Sequence, residues 1–556
     1  MKVYNIWSVI LLAFLCYPVA GGNILRERVY IHTDKQTYLS GEMLWMKFYL
    51  TDETGKPASF SKIGYVELLD ESTAQIQVKL DISDGLAEGW MELPVTLPTG
   101  NYRLVAYTRN MRNEGESVFF NKTIGIINTF RSDATVESDT VSFSDKVPLK
   151  KDNISISTAH VYPVRTQGEI RIQGLPENVY SLSVSVAGRD FVQSSGNITD
   201  WNSLLAAPAD VPVKLDFLPE YEGHIVSGRI TNVVTGQPPV GENVFSLLGF
   251  VGDQVRIFGG LMEKDATVHF MTRQISGTHE LAVASMASSD NKYRVNIESP
   301  FAAHAEKILP PLLLKPEWEE LLLQRSVGLQ VQYAYSADSI GRVDSAYSYF
   351  QWKPDRSYIL DEYTRFTTME EIIIEFIPSL RFRRYNNRRF LSVLLNETDV
   401  FSQGNTLVLL DGIPITDHEL VFKYNPLLLY KIDVYKDKFV FGNKPFSGMV
   451  FLTTYKHDYP GLVTDESTHL FDYEGTQVHR YFYAPFYSGN SGEERRVPDF
   501  RHTLLWMPFV ESCGQATLSI PFSTSDLTGE FQVTVEGLTR DGKVVRGTSF
   551  FEVKNP

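Results

Sequence analysis

The pair Asp411-Gly412 most invites a catalytic interpretation, because it places a carboxylate directly after the apolar run Leu407–Leu410. A carboxylate at a strand end can act as a general acid or base. An Asp-Gly pair is also what a two-residue β-hairpin turn requires, since both central residues take positive φ. The chain holds 67 Asp and Glu residues, and nothing selects two of them as a glycosidase dyad. We therefore interpret Asp411 as a turn residue.

Other polar residues give no stronger chemical signal. His269 and His279 lie in or beside predicted strands and lack the spacing of paired metal ligands. A polar cluster near the N-terminus fits turn capping and strand edges; it consists of His32, Asp34, Tyr38 and Glu42. The sequence contains no Gly-x-Ser-x-Gly, His-Glu-x-x-His, Walker or Gly-x-Gly-x-x-Gly motif. We expect no catalytic, cofactor-binding or metal-ligating residues, and hence a protein that is not an enzyme.

One dense basic run, Arg381–Arg389, interrupts a chain whose formal net charge is −15. The acidic balance argues against a nucleic-acid partner, which needs a basic surface to release counterions. The run can contact anionic lipopolysaccharide or an acidic partner. It can equally be a solvated turn, and the pattern favours a turn between a helix and a strand. The preceding Thr368 and Glu371 predict a capping box that starts this helix.

The composition and the first 22 residues limit the classes of protein to which the chain can belong. At 556 residues and 43% apolar content, the chain predicts several domains with cores of their own. The 28 Tyr and 34 Phe favour β structure. Residues 1–22 resemble a signal peptide: Lys2 precedes the apolar segment Ile6–Leu15, which is shorter than the ~20 residues that span a bilayer. We expect export, with a periplasmic or outer-membrane-associated location.

The two cysteines add little. Cys16 lies within the predicted signal peptide, and Phe14 and Leu15 before it do not match a lipoprotein signal. Removal of the signal leaves Cys513 as the one cysteine, so no intramolecular disulfide can form in the mature chain. Whether Cys513 has a role stays open.

Strand periodicity, turn residues and linker composition divide the chain into a predicted series of units. They are a signal peptide at 1–22, β-sandwiches at 23–130, 131–213 and 214–300, a connector at 301–355, an α+β domain at 356–460, and a last sandwich at 461–556. The predicted fold class is mainly β, with tandem antiparallel sandwiches and one α+β domain.

The first sandwich carries a family resemblance. The segments VYIHTDKQTYLSGEMLWMKFYL and GWMELPVTLPTGNYRLVAYT resemble a macroglobulin-like domain of the alpha-2-macroglobulin family. The resemblance implies a seven-stranded antiparallel sandwich here and a degenerate second one at 131–213. The C-terminal unit at 461–556 resembles either another macroglobulin-type sandwich or an immunoglobulin-like one. Members that trap proteases covalently carry a Cys-Gly-Glu-Gln thioester, whereas this chain has Ser512-Cys513-Gly514-Gln515. We therefore do not expect a covalent trap.

Two further stretches resemble parts of TonB-dependent outer-membrane receptors. FLPEYEGHIVSGRITNVVTGQPPVGENVFSLLG resembles the carboxypeptidase regulatory-like sandwich that often precedes a receptor plug. Asn405–Tyr455 resembles the plug itself, at Leu407–Pro414, Ile432–Lys436, Gly442 and Gly448–Lys456. Only ~100 residues follow, whereas a barrel that holds a plug needs ~20 strands of ~10 residues. The resemblance thus implies a plug without its own barrel, and a plain hairpin in a generic α/β module is the alternative.

Two functions remain open. The first is a non-enzymatic envelope binding or scaffold protein that is associated with the outer membrane. Its plug-like domain contacts a β-barrel or another envelope protein, with TonB-dependent transport or outer-membrane assembly as the expected setting. Sandwich edges suit such contacts because exposed strands can pair with a partner. The second is a protease inhibitor without a thioester, for which Ser132–Asp145 and Gly461–Gln477 are the candidate bait loops. Neither hypothesis requires a cofactor, and peripheral membrane association is compatible with both.

Overall fold

The computed structural model describes residues 25–131, 135–136, 152–189, 215–287, 289, 291–336, 353–385, 388–403, 405–487 and 497–555. The predicted signal peptide and most of the predicted linker Ser132–Asp145 lie outside these ranges. The described part is mainly β, with several antiparallel sheets. None of its helices combines the length and the apolar character that crossing a membrane would take.

The elements follow in chain order. The first eight strands are β1 (Glu27–Thr33), β2 (Thr37–Leu39), β3 (Met43–Asp52), β4 (Ile63–Asp70), β5 (Thr73–Asp81), β6 (Leu86–Glu92), β7 (Gly100–Thr108) and β8 (Phe120–Ile127). The next twelve are β9 (Thr135–Val136), β10 (Ser155–Ser157), β11 (Val161–Pro163), β12 (Gln167–Gln173), β13 (Val179–Gly188), β14 (His224–Asn232), β15 (Phe245–Phe250), β16 (Ile257–Leu261), β17 (Thr267–Arg273), β18 (Thr278–Met286), β19 (Tyr293–Ile297) and β20 (Leu313–Leu314).

The remaining elements include the α-helices of the described part. They are α1 (Glu319–Ser336), β21 (Arg356–Ile359), α2 (Met369–Phe376), β22 (Leu380–Tyr385), β23 (Arg388–Val393), β24 (Leu407–Leu410), β25 (Ile413–Ile415), α3 (Glu419–Lys423), β26 (Leu429–Phe441), β27 (Lys444–Thr454), β28 (Thr468–Glu474), β29 (Thr503–Val510), β30 (Thr517–Ser523), β31 (Gly529–Thr539) and β32 (Val544–Lys554). Short 3-10 turns lie at Asn110–Asn113, Glu116–Val118, Pro316–Trp318, Leu360–Glu362 and Pro426–Leu428.

The first sandwich, residues 25–131, packs the sheet β1-β3-β6 against the sheet β2-β8-β7-β4-β5. Leu44, Met46 and Phe48 alternate along β3 and lie in a single apolar core, and the residues between them are buried on the opposite face. Helix α1 rests on this sandwich through Leu322, which packs with Trp318 of the preceding 3-10 turn against a small cluster around Leu312. The sequence pattern does not predict β2, β5 or β8, and it predicts a short helix at Glu317–Leu323 where α1 continues to Ser336.

The second sandwich joins two segments that the sequence predicts as separate sandwiches. Its sheets are β10-β12-β30 and β11-β32-β31-β13-β29, so each sheet combines strands from 152–189 with strands from 497–555. Val184 of β13 pairs with Val535 of β31 on one side and with Met507 of β29 on the other. The predicted boundaries 131–213 and 461–556 are corrected accordingly, because neither segment alone has enough strands to cover a core.

The third sandwich, built on residues 215–297, has sheets β17-β14-β19 and β16-β15-β18-β28. Strand β28 comes from far along the chain and pairs with β18 over seven positions, Thr278–Ala284. The stretch Gly461–Gln477, predicted as an unstructured connector and a candidate bait loop, therefore contains a sheet strand, and that interpretation is wrong. The sequence pattern does not predict β19, but it predicts the other five strands of residues 215–297 within about two residues of their observed bounds, at His224–Ile230, Asn243–Leu248, Val255–Gly259, Thr267–Met271 and Glu280–Ala284.

Residues 353–463 form a compact α+β unit with the sheet β21-β26-β27-β24-β25. Helices α2 and α3 and the hairpin β22–β23 cover one face of this sheet through the core that contains Val408 and Val450. Helix α2 begins at the predicted capping box: Glu371 N donates to Thr368 Oγ1 at 3.3 Å, and Thr368 N donates to Glu371 Oε2 at 3.2 Å. The unit is thus a mixed fold and not another sandwich.

Candidate functional site

The turn Asp411-Gly412 is the β-hairpin that its sequence predicts. Val408 pairs with Ile415 and Leu410 with Ile413, and the two turn residues have φ values of 46° and 90°. The Asp411 side chain is fully buried. Its carboxylate accepts hydrogen bonds from Thr454 N (2.9 Å), Thr454 Oγ1 (2.6 Å) and Tyr459 N (2.9 Å). Asp411 therefore fixes the end of β27 and has no open side on which to act as an acid or base.

The other face of the same sheet packs against the third sandwich. Leu407 and Leu409 of β24 form an apolar cluster with Phe245 and Leu247 of β15, while Val408 and Leu410 face the helices. Both faces of β24 are therefore buried, which explains why the run is apolar at every position. We call this contact, made by the residues of that cluster, the apolar junction.

Glycines bring the backbones of the apolar junction into contact. A Cβ atom on Gly412 would overlap the carbonyl oxygen of Phe250, and one on Gly249 would overlap the carbonyl oxygen of Gly412. Gly252 N donates to the Asp411 carbonyl oxygen at 2.9 Å. Only glycine permits such an approach, so the Asp-Gly turn has a second role in docking that its local sequence does not reveal.

The N-terminal polar cluster is a junction between units. Glu42 is buried and binds Lys35 Nζ (3.0 Å) as well as Arg325 Nη2 (2.8 Å) from α1. Burial raises the pKa of Glu42, but the charges of Arg325 and Lys35 outweigh it and hold the pKa well below its usual range. Asp34 accepts from Tyr38 Oη and from Thr503 Oγ1, both at 2.7 Å. The predicted turn-capping role is present, yet the cluster also ties the first sandwich to α1 and to β29.

Further buried polar side chains lie between the first and second sandwiches. We call these side chains and the Glu42 cluster together the polar junction. His32 Nδ1 lies 2.7 Å from Ser183 Oγ, and burial lowers the pKa of His32 to about 4. Lys47 is fully buried, donates to the Leu182 carbonyl oxygen at 3.2 Å and also bonds Ser181 Oγ. Burial lowers the pKa of Lys47 well below its usual range.

The main groove lies where the three sandwiches meet, and its volume is about 340 Å³. Residues 475–483, which we call the strap, form one wall. The side chain of Gln477 makes two hydrogen bonds to the backbone of Trp90 in β6: its Oε1 accepts from Trp90 N (2.9 Å) and its Nε2 donates to Trp90 O (2.7 Å). Arg480 of the strap lies 4.0 Å from the centroid of the Trp90 ring. Gln477 thus binds the free edge of β6 as a neighbouring strand would.

One acidic side chain in this groove, Glu88, has a strongly raised pKa. Burial raises the pKa of Glu88 to about 7, partly opposed by the charge of Lys47, and burial lowers the pKa of its partner His479. Both shifts disfavour the charged form, because each side chain lies partly out of water. The lining offers indole, amide, carboxyl and guanidinium groups. This chemistry suits binding by stacking and hydrogen bonds.

Two Ser–His contacts deserve comparison with a catalytic triad. The His32–Ser183 pair is buried between two sandwiches. Ser227 Oγ lies 2.8 Å from His269 Nδ1, but Arg109 Nη2 also donates to that oxygen at 2.9 Å, and Glu263 is 3.8 Å from His269 Nε2. An arginine that donates to the serine oxygen opposes its use as a nucleophile. The residues that the structure describes contain no group of three or more ligands suited to a metal ion.

The basic run Arg381–Arg389 is not the solvated turn that the sequence favours. It contributes β22 and the start of β23, which pair from Leu380–Val393 to Tyr385–Arg388. Arg389 binds Glu419 Oε2 at 2.7 Å and also contacts Glu370. Arg383, Arg384 and Arg388 are exposed.

The segment 512–515, which was compared with the thioester motif, forms an ordinary turn. Cys513 is exposed and free, with φ of 49°, and Gly514 follows with φ of 76° between β29 and β30. Gln515 N donates to the Ser512 carbonyl oxygen at 2.8 Å. His279, the other histidine singled out from the sequence, contacts the Ser276 carbonyl oxygen at 2.9 Å.

Comparison with known proteins gives a limited result. No family model matches the chain, and no curated protein matches it. Among solved structures, Salmonella alpha-2-macroglobulin reacted with methylamine matches 97% of this chain and 40% of its own, at 10% identity and a TM-score of 0.24. Escherichia coli alpha-2-macroglobulin activated by porcine elastase matches 95% of this chain and 44% of its own, at 9% identity and a TM-score of 0.24.

A third match is the adhesin InvE of Yersinia pseudotuberculosis, which covers 52% of this chain and 66% of its own, at 10% identity and a TM-score of 0.13. The chain spans about two fifths of the length of the macroglobulin structures that it matches. At TM-scores this low the matches carry no argument about what the chain does.

Proposed function

We propose that this chain is a non-enzymatic binding or scaffold protein of the cell envelope, exported and associated with the outer membrane. Its α+β unit, which resembles a TonB receptor plug in sequence, contacts an outer-membrane β-barrel or another envelope protein, and the sandwiches hold that unit in place. The first and second sandwiches are macroglobulin-like and the third is carboxypeptidase regulatory-like in this proposal. No cofactor and no nucleic acid take part, and TonB-dependent transport or outer-membrane assembly is the proposed setting.

The observation that carries the proposal is the way the α+β unit is covered. One face of its sheet is buried against the third sandwich at the apolar junction, and the other lies under α2, α3 and the hairpin β22–β23. The helical layer is therefore the side on which a partner can bind. A barrel that enclosed the whole unit would have to displace the third sandwich. We therefore propose contact at the mouth of a barrel and not insertion into its lumen.

Exposed apolar side chains lie on that helical layer and around the end of β27. Ile374 of α2 is 68% exposed, and Tyr430 and Tyr455 lie 5.7 Å apart, between ring centroids, with 37% and 50% of their surfaces exposed. Aromatic and aliphatic side chains of this kind are the usual anchors of protein interfaces. They give the proposed contact a defined location.

The test is affinity capture with the mature chain from a detergent-solubilised Gram-negative envelope, with mass spectrometry of the bound proteins. We expect a β-barrel protein to be recovered, and Ile374→Asp to reduce its recovery at least about tenfold, as for an interface hot spot. Val240→Asp is the matched control, since Val240 is 91% exposed on the third sandwich. Recovery of proteases in place of a barrel, or equal losses with both variants, would contradict the proposal and favour the inhibitor hypothesis or a different surface.

A further inference from the structure

The hairpin β22–β23 presents two chemically different faces. Alternate residues of a strand point to opposite faces, and directly paired residues share a face. Phe382 pairs with Leu391, and both belong to the side that packs on the core of the α+β unit. The opposite face, which we call the outer face, carries the pairs Arg383–Phe390 and Tyr385–Arg388 as well as Arg381.

The arginines of the hairpin differ in their partners, and Arg384, on the packed side, is exposed and forms no ion pair with a described residue. Arg389, on the packed side, is held by the carboxylates of Glu419 and Glu370. Arg383 and Arg388, on the outer face, form no ion pair with a described residue, and Arg381 stacks at 4.2 Å on the ring of Phe401. The outer face thus holds three guanidinium groups whose charge is not neutralised by a neighbouring carboxylate within the described chain.

The spacing and the composition of the outer face suit binding to a surface that carries phosphate groups. Residues two apart on a strand lie ~7 Å from each other, so Arg381 and Arg383 present two separate forks along one line. A guanidinium group binds phosphate oxygens in a bidentate manner. Tyr385 is 70% exposed at the far end of β22. An exposed tyrosine beside arginines is typical of side chains that lie at the level of lipid headgroups.

The chain as a whole is acidic, with a formal net charge of −15, so this basic face stands out from the remainder of the surface. Charges farther away than the Debye length of ~8–10 Å are largely screened at physiological salt. The local charge of the hairpin, and not the net charge, therefore governs what docks on it.

We propose that the outer face of the hairpin β22–β23 binds the phosphate groups of anionic lipid headgroups at a membrane surface. The outer face lies on the same layer of the α+β unit as its exposed helices, so lipid contact and protein contact can occur together. This inference does not depend on the barrel contact proposed above, because vesicles contain no protein. An acidic peptide offers related chemistry and is one outcome of the test.

The experiment measures binding of the mature chain to vesicles of phosphatidylcholine alone and to vesicles that also contain phosphatidylglycerol. We expect binding only to the anionic vesicles, and weaker binding as salt is added. Arg383→Gln should weaken it about fivefold, the effect of one basic residue near an anionic surface. The matched control is Arg384→Gln, which removes the same charge from the neighbouring residue on the other face, and it should weaken binding less than about twofold.

A charge-preserving variant separates a bidentate contact from simple attraction. Arg383→Lys should restore most but not all of the binding, because lysine keeps the charge and loses the planar fork. Circular dichroism checks that each variant keeps its fold, which is expected since both positions are exposed. Equal losses for Arg383→Gln and Arg384→Gln, or no binding to anionic vesicles, would overturn the inference. Binding of a polyglutamate peptide that depends on Arg383, without vesicle binding, would assign the face to an acidic protein.

Discussion

The polar junction and the apolar junction hold units of the same chain together by opposite means. The first sandwich meets the second through buried charged and polar groups such as Asp34, Lys47 and His32, and it meets α1 through Glu42. The third sandwich meets the α+β unit through apolar side chains and through glycines that let two backbones touch. Both junctions are buried. In the polar junction the buried charged groups have ion-pair or hydrogen-bond partners, and in the apolar junction the two surfaces are complementary in shape.

The difference teaches which perturbations each contact can withstand. A buried ion pair is costly to break when one partner is removed, because the other is left unpaired in a low-dielectric environment. An apolar contact with touching backbones is insensitive to pH but cannot accommodate one additional carbon atom at the closest point. The polar junction should therefore respond to charge and acid, and the apolar junction to volume.

The largest effect is expected at the apolar junction. Gly412→Ala adds a Cβ that overlaps the Phe250 carbonyl oxygen, at a φ of 90° that already costs alanine ~1–2 kcal/mol. With the overlap, the free energy of unfolding should fall by about 4 kcal/mol in urea denaturation. Gly442→Ala is the control: its φ is 59°, and its nearest neighbours lie at 3.5 Å, an ordinary contact. It should cost only ~1 kcal/mol, and equal losses would contradict backbone contact as the cause.

The next effect concerns the ion pairs of the polar junction. Arg325→Met removes the bidentate partner of Glu42 and leaves that buried carboxylate with Lys35 alone. We expect a loss of about 3 kcal/mol in the same measurement. Adding Glu42→Gln should recover at least ~1 kcal/mol, because the unpaired charge is then absent. A double variant no more stable than the single one would show that the pair is not coupled.

Acid should loosen the polar junction before the apolar one. The pKa of His32 is lowered to about 4 from an ordinary value near 6.5, so the unfolded chain binds more protons between these values. Stability is then complete above pH 6.5 and falls as the pH approaches 4, by ~2 kcal/mol at pH 5. Glu42 affects the pH dependence of stability at lower pH. Because its pKa is depressed in the folded chain, the stability that it provides is lost only as the pH falls below ~4.5.

The measurement is hydrogen exchange at pH 7 and pH 5, corrected for intrinsic exchange rates. Amides of β13 and β29 should lose protection at pH 5, whereas those of β15 and β24, whose apolar cluster contains no histidine, should lose less. A loss that originates in the α+β unit should begin at β23, where Leu391 N donates to buried His418, whose pKa burial lowers to about 4. His32→Asn should reduce the loss in β13. Parallel losses at both junctions would contradict the assignment.

The smallest effect is expected at the strap. Gln477→Ala removes two hydrogen bonds to the Trp90 backbone and should cost about 1 kcal/mol in urea denaturation. It should also expose the edge of β6, seen as faster exchange of the Trp90 amide. Gln75→Ala, at an exposed position of β5, should cost nothing measurable. The absence of any change at Trp90 would mean that Gln477 does not protect this edge.

Local features of the fold were predictable from the sequence, since they depend on neighbouring residues. The run Leu407–Leu410 with Asp411-Gly412 predicted its hairpin, and Thr368 with Glu371 predicted the start of α2. The alternating segments of the third sandwich predicted strands close to their observed bounds. The fold class, mainly β with several antiparallel sheets, followed from the same patterns.

Contacts between distant residues were not predictable in this way. Arg325 and Glu42 lie 283 positions apart, and nothing in either local sequence names the other. Gln477 replaces a strand with one side chain, which no periodicity reveals. The basic run was interpreted as a turn because its charges hid the alternation that Phe382 and Leu391 complete across two strands. Close approach of Gly412 to Phe250 likewise needs the partner surface.

The interleaving of the second sandwich has a consequence for the order in which the protein takes shape. Ser183 of β13 and its partner Glu536 of β31 are 353 positions apart, and two other units are completed between them. During synthesis, the apolar face of β13, with Leu182, Val184 and Val186, stays uncovered until those later strands have been made. We therefore expect the yield of folded chains to depend on a chaperone that protects this segment. Faster folding of the N-terminal sandwich should not raise that yield.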